Sequence, residues 1–307
     1  MPPDIVLRTY NLGKRYKNRW AVKALSLEVQ RGEVFGFLGP NGAGKSTTIR
    51  MLLSLVSPSD GHVELFGKEL HSNRCAVLSR VGGLVERADF YQYLSARRNL
   101  EIISSLKGGL SRTAIERVLE LVGLLQRADE KVKTYSHGMK QRLGIAQALL
   151  GEPELIILDE PTTGLDPQGI KEVRELIKGL STERSMTTFL SSHLLSEIEQ
   201  TATSMGIINM GELVIQGKVK ELLDSGESTV KIVASPIMKA QELVRQQKFV
   251  KGLAVSNGVL EVNMPLGDVG TLNTLLVQAG IDVSSLVPRR SLEDYFLSIT
   301  EGVTDIR

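Results

Sequence analysis

The stretch Gly39-Pro40-Asn41-Gly42-Ala43-Gly44-Lys45-Ser46-Thr47 carries chemistry in its spacing. It fits G-x-x-x-x-G-K-[ST], a pattern built to wrap phosphate. Glycines at this spacing let the backbone curl until successive N–H groups converge on phosphate oxygens. Gly39, Asn41, Gly42, Ala43, Gly44 and Thr47 belong to that cradle. Lys45 is placed to reach the β- and γ-phosphates; at about 3 Å its attraction to one phosphate charge is on the order of 5 kcal/mol before desolvation. The Ser46 hydroxyl suits Mg²⁺. The pattern implies a bound nucleoside triphosphate.

Asp159 and Glu160 form the second chemical cluster, directly after Leu155-Ile156-Ile157-Leu158. Four consecutive aliphatics predict a strand buried on both faces, as in a parallel sheet. Asp159 at its end can reach the Mg²⁺ held by Ser46. Glu160 can point past the metal and deprotonate a water attacking the γ-phosphate. A pair of solvated strand-end acids is the other reading, and the phosphate loop in the same chain favours the chemical one.

These residues need elements to place them. Val34–Leu38 predicts a strand and Thr47–Leu53 a helix, whose N-terminus adds its dipole and free N–H groups to the phosphate site. Asp4–Thr9, Leu25–Val29 and His62–Phe66 read as further strands, with Tyr10–Ala24 as a polar connection. His62 and His71 have no nearby ligand-type partners in sequence and read as surface or satisfied histidines. Residues 97–150 are helical in pattern, with Ser111 capping one helix and another running from about Gly138 to Leu150. After the 155–158 strand, helices at Ile170–Leu180 and Leu194–Thr201 alternate with strands at Thr187–Ser191 and Met205–Met210. Beyond Ser225 the order becomes βαββαβ, that of a small ferredoxin-like domain. Ser291–Thr300 is predicted as a closing helix.

With 307 residues, 42% hydrophobic and 23% charged, the chain has the composition of a globular protein with a sizeable core. A net charge of +2 gives no case for nucleic acid as the main partner. The single cysteine, Cys75, excludes an internal disulfide and a Cys-rich zinc site, and reads as a small core residue. No apolar run approaches the roughly 18 residues needed to span a bilayer. Met1-Pro2-Pro3-Asp4 has no signal-peptide pattern. The expected location is cytoplasmic, with any membrane association made through a partner.

At Leu155–Thr162 the chain resembles the Walker B segment of the ATP-binding-cassette (ABC) ATPases. Gly164-Leu165-Asp166-Pro167 resembles their D-loop, Ser191-Ser192-His193 their switch histidine, and Tyr135-Ser136-His137-Gly138-Met139-Lys140-Gln141-Arg142 their signature motif. The resemblance covers roughly residues 4–220 and keeps the family's order. It implies an α/β P-loop NTPase, with a RecA-like core, an antiparallel β subdomain and a helical insert, followed by a small α+β domain. The corresponding boundaries are 1–224 for the ATPase, about 87–150 for the helical subdomain, and 225–307 for the accessory domain.

It further implies ATP and Mg²⁺ as ligands and a head-to-tail homodimer. Ser136 and Gly138 of one copy would close over ATP held by the other's phosphate loop, with Asp166 at the interface. His193 would contact the γ-phosphate and orient Glu160. Tyr16 stands where the family stacks an aromatic on adenine, with Trp20 as rival. Two positions depart from the family. His137 and Met139 replace residues of the usual Ser-Gly-Gly-Gln, and Glu86 falls where a glutamine is usual, as a ligand for Mg²⁺ or its water. The signature and the stretch Leu292–Leu297 resemble ATPase subunits of bacterial two-component exporters, which work under a separate membrane permease. Phe90–Leu94 offers a dock for that partner. The competing class, a soluble ABC ATPase acting as a nucleotide-gated switch, would call for a coiled-coil insertion, zinc ligands or a second cassette.

Overall fold

The computed structural model describes residues 4–289 apart from Arg87, Lys107, 225–227 and Asn257. The chain divides after Lys218 into two units, each with its own apolar core. The first opens with β1 (Ile5–Tyr16), β2 (Arg19–Leu25), β3 (Glu28–Gln30), β4 (Val34–Leu38), α1 (Lys45–Leu52), β5 (Asp60–Leu65) and β6 (Lys68–Glu69). Then come α2 (Arg74–Leu78), β7 (Val81–Leu84), α3 (Ala96–Leu106), α4 (Arg112–Leu121) and α5 (His137–Leu149). It finishes with β8 (Leu155–Leu158), α6 (Pro167–Arg184), β9 (Thr187–Ser192), α7 (Leu195–Thr201), β10 (Ser204–Asn209) and β11 (Glu212–Lys218).

One sheet runs β11-β10-β4-β9-β8-β7. From β10 to β7 every neighbouring pair is parallel, and only β11 runs antiparallel. Every residue of β4, β8 and β9 is buried, which is why these strands are continuous apolar or small-polar runs rather than alternating ones. Phe189 on β9 stacks on Phe35 and tilts against Phe37 of β4, both at 5.4 Å between centroids. Because β9 separates β4 from β8, the phosphate loop and the Asp159-Glu160 pair leave the same carboxyl edge of the sheet, on either side of the end of β9.

A second, antiparallel sheet has the order β2-β1-β5-β6, with β3 also paired to β1. This corrects the expected polar connection at Tyr10–Ala24, which forms most of a β1–β2 hairpin. Its register shifts, and Asn11 and Ala24 in left-handed backbone, broke the alternation that marks a strand in sequence. β7 was not assigned from the sequence: its Gly82 and Gly83 carry no strand signal, and a side chain on Gly82 would collide with the Ala148 carbonyl of α5. Between β7 and β8 the chain is helical. Ser111 caps α4 by accepting from Ala114 N at 3.2 Å. Cys75, expected in the core, is exposed on α2.

The second unit contains α8 (Val219–Asp224), β12 (Ser228–Ser235), α9 (Ile237–Arg245), β13 (Gly252–Ser256), β14 (Val259–Met264), α10 (Val269–Gln278) and β15 (Asp282–Arg289). Its antiparallel sheet has the order β13-β14-β12-β15. Ala240 and Val244 of α9 and Leu272 and Leu276 of α10 share a core with Val230, Ile232, Leu260 and Val262 of the sheet. The expected helix at Ser291–Thr300 and the Leu292–Leu297 stretch lie outside the described residues. Among the described residues, no helix is long and apolar enough to cross a membrane.

Candidate active site

The loop after β4 owes its shape to contacts behind it. Gly44 has φ 111, and a Cβ there would lie 2.5 Å from the Ala21 carbonyl of β2, so only glycine fits on both counts. Gly211 N donates to Ala43 O at 2.9 Å, and Gly39 N to Ser192 O at 3.2 Å. The loop is thereby fixed from two sides. α1 starts at Lys45 with no side-chain cap and no acid in its first turn, so its N-terminal donors and dipole are left for an anion. Asn41 and Gly42 are exposed, Ser46 and Thr47 half-buried, Gly39 and Ala43 buried.

Lys45 is buried, with Nζ donating to Gly39 O at 2.7 Å and Pro40 O at 3.2 Å. The same Nζ lies 3.3 Å from Glu160 Oε1. The other carboxylate oxygen, Glu160 Oε2, accepts from Thr163 Oγ1 at 2.9 Å and lies 3.2 Å from His193 Nδ1. Three elements thus converge on one carboxylate: the phosphate loop, the turn after β8 and the end of β9. Burial pushes the Glu160 carboxyl up, but the Thr163 hydroxyl and the charges of Lys45 and His193 outweigh it and hold it below its ordinary value.

Asp159 is buried, and its Oδ1 accepts from Ser191 Oγ at 2.7 Å. Among the described residues no Lys, Arg or His pairs with it. Ser46 and Asp159 are hard oxygen donors of the kind Mg²⁺ selects, and a buried carboxylate without a cationic partner fits that ion. No group of three or more His, Cys, Asp and Glu able to hold a metal occurs among the described residues. Mg²⁺ here fits the arrangement in which phosphates and water complete the shell.

Ser136 stands exposed at the tip of α5, where its Oγ accepts from Met139 N at 3.2 Å. Asp166 caps α6 in the same way, accepting from Gly169 N at 3.0 Å. The two helix tips are neighbours, since a Cβ on Gly138 would meet Gly169 Cα at 3.7 Å. His137 is half-buried beside them.

Glu86, Tyr16 and its rival Trp20 are not drawn into this cluster. The Glu86 carboxylate, expected near Mg²⁺, is exposed and ion-paired with Arg50 on the outer side of α1. Its left-handed φ of 60 turns the chain at that point. Tyr16 and Trp20 both sit at the end of the β1–β2 hairpin, 45% and 38% exposed, beneath the cations of Lys14 and Arg15. Thr163 and Ser191 were missed from sequence. For Ser191 the available signal was a hydroxyl placed at the end of an otherwise buried central strand.

A glycine cradle between a parallel strand and a helix, with its lysine held against an acid that follows the next strand but one in the sheet, defines a P-loop nucleoside triphosphatase. The chain belongs to the ABC transporter family, as one of its ATP-binding, ATP-hydrolysing subunits. The ABC transporter domain matches residues 22–163. The bacitracin transport ATP-binding protein BcrA of Bacillus licheniformis is 44% identical over 97% of this chain and 98% of its own length. BcrA of Enterococcus faecalis is 38% identical over 97% of each chain. A solved dimeric ATP-binding cassette in a post-hydrolysis state, bound to ADP and Pi, superposes with TM-score 0.63 at 25% identity, covering 69% of this chain and 98% of its own.

Proposed function

We propose that two copies of this chain close around two molecules of Mg·ATP and, by hydrolysing them, drive export through a separate membrane permease. The observation that carries the reading is the tip of α5. An exposed serine cap heads a helix with no acid in its first turn, an anion site lacking a phosphate cradle of its own. The cradle lies elsewhere on the same chain, so a head-to-tail pair completes both sites. ATP would then hold the pair together, and loss of the γ-phosphate would release it.

In this reading the loop from Gly39 to Thr47 binds the phosphates, Tyr16 stacks on the adenine, and Ser46 and Asp159 hold Mg²⁺, which neutralises charge on the phosphates. Handing Lys45 to the phosphates takes a cation from Glu160 and raises its basicity, which suits it to accept a proton from the attacking water. His193 orients that carboxylate and reaches the γ-phosphate. Ser136 and Gly138 cap the partner's nucleotide, and Asp166 adjoins them at the interface.

The permease would dock on the loop after β7. Asn99 clamps it, accepting from Tyr91 N at 2.8 Å and donating to Tyr91 O at 3.1 Å. This leaves Tyr91 and Tyr93 exposed on a fixed backbone. Contact with the permease places the chain on the cytoplasmic face of the membrane. The BcrA relatives are bacitracin transport proteins, which supports a peptide antibiotic as substrate.

Light scattering on the Glu160→Gln variant tests the reading. With ATP and Mg²⁺ it should elute at twice the protomer mass, and adding Ser136→Ala should return it to one. A double mass that ignores nucleotide, or a single mass with it, would overturn the proposal.

A further inference from the structure

The Ser191 side chain is fully buried on β9, between β4 and β8. A central strand covered on both faces favours an aliphatic residue, and a buried hydroxyl is costly unless its hydrogen-bonding capacity is used. Here it is used in both directions. Ser191 Oγ donates to Asp159 Oδ1 at 2.7 Å and accepts from Glu160 N at 2.8 Å. Glu160 has a left-handed φ of 46, a conformation that a side-chain-bearing residue keeps only when its surroundings hold it. The hydroxyl grips the N–H of that strained residue. The two residues that follow in the chain also contact the site: Ser192 O, at the end of β9, accepts from Gly39 N, and His193, just beyond it, lies against Glu160.

We infer that Ser191 is a positioning residue that fixes the Asp159 carboxylate relative to the Glu160 backbone, so that metal ligand and base keep one geometry. The inference rests on the roles proposed for Asp159 and Glu160. By occupying Oδ1, Ser191 sets the rotation of the Asp159 carboxylate, the group that would help to hold Mg²⁺. By holding Glu160 N, it ties the base to the same atom. A hydroxyl acting on a metal ligand in this way commonly accounts for about tenfold or more in metal affinity or rate.

The test compares the wild-type chain with Ser191→Ala, Ser191→Thr and Asp159→Asn. Binding of a fluorescent ADP analogue is measured in Mg²⁺ and in EDTA, beside steady-state phosphate release. The wild type should bind more tightly in Mg²⁺, and Asp159→Asn should lose that gain. Ser191→Ala should lose about tenfold of the Mg²⁺-dependent gain with its EDTA affinity unchanged. Its kcat should fall about tenfold, and its KM for Mg·ATP should rise in step with the lost Mg²⁺-dependent affinity. Ser191→Thr, which keeps the hydroxyl, should recover both.

A wild-type Mg²⁺ response retained in full by Ser191→Ala overturns the inference alone. So does an equal loss of affinity in Mg²⁺ and EDTA, which would mean a packing role. A wild type indifferent to Mg²⁺ overturns both the inference and the reading beneath it. Ser191→Ala decides the matter even if β9 does not accommodate the extra methyl of threonine, because alanine removes only the hydroxyl.

Discussion

Replacing Glu160 by glutamine should weaken the nucleotide-free protein and strengthen its response to ATP. Glu160 Oε1 lies 3.3 Å from Lys45 Nζ, so Coulomb's law gives about 5 kcal/mol at an effective dielectric of 20 and about 1 kcal/mol in bulk water. Desolvation of both groups offsets part of this, and a net loss of about 2 kcal/mol is expected. For a unit of this size that lowers the melting temperature by about 4–8 °C. With Mg·ATP bound, Lys45 belongs to the phosphates in both proteins, and the difference should largely vanish. The ATP-induced rise in melting temperature should therefore be larger for Glu160→Gln than for wild type, while phosphate release falls by about 10²–10⁴-fold. Thermal shift with and without Mg·ATP, beside a phosphate-release assay, reads both. A smaller ATP-induced shift in the variant would refute the lysine hand-over. Turnover within about tenfold of wild type would remove Glu160 from the role of base.

Glu86→Gln should keep a substantial part of the ATPase rate, since the structure pairs Glu86 with Arg50 at the surface; near-complete loss in a turnover assay would show that the acid acts on nucleotide or metal. Ser136→Ala should cost about 1 kcal/mol of stability through the lost cap and leave ATP binding to the protomer unchanged, as calorimetry can check. The hydrogen bond from Arg80, with Arg31 adding to it, lowers the Glu154 pKa from 4.5 to about 2. The stabilisation this brings is complete above pH 4.5 and disappears as pH falls towards 2. Glu154→Gln should be less stable than wild type by about 1 kcal/mol at pH 7, a figure reduced for solvent screening, and equal to it near pH 2. Denaturant titrations across that range would show the two curves converging.

What could be read from the chain was local. The phosphate loop is contiguous, and its glycines and lysine carry their chemistry in their spacing. The strand before Asp159 declares its burial by four aliphatics in a row. Ser111 and Ser136 announce helix starts because a cap acts within three residues. The hairpin at β1–β2 was not legible, because its register shifts spoil the period of two. Neither was β7, whose glycines make sense only once Ala148 of α5 lies against Gly82.

Chain order alone was enough to set which chemical groups this protein possesses and the class of ligand they suit, since a nest of N–H groups and a lysine need only their neighbours in the chain. The tertiary structure decided how those groups meet. It set Lys45 against Glu160, 115 positions away in the sequence; it also placed Ser191 between the two acids and gave Glu86 to Arg50. Such pairings depend on strand order, and β9 lies between β4 and β8 only because the whole sheet assembles that way.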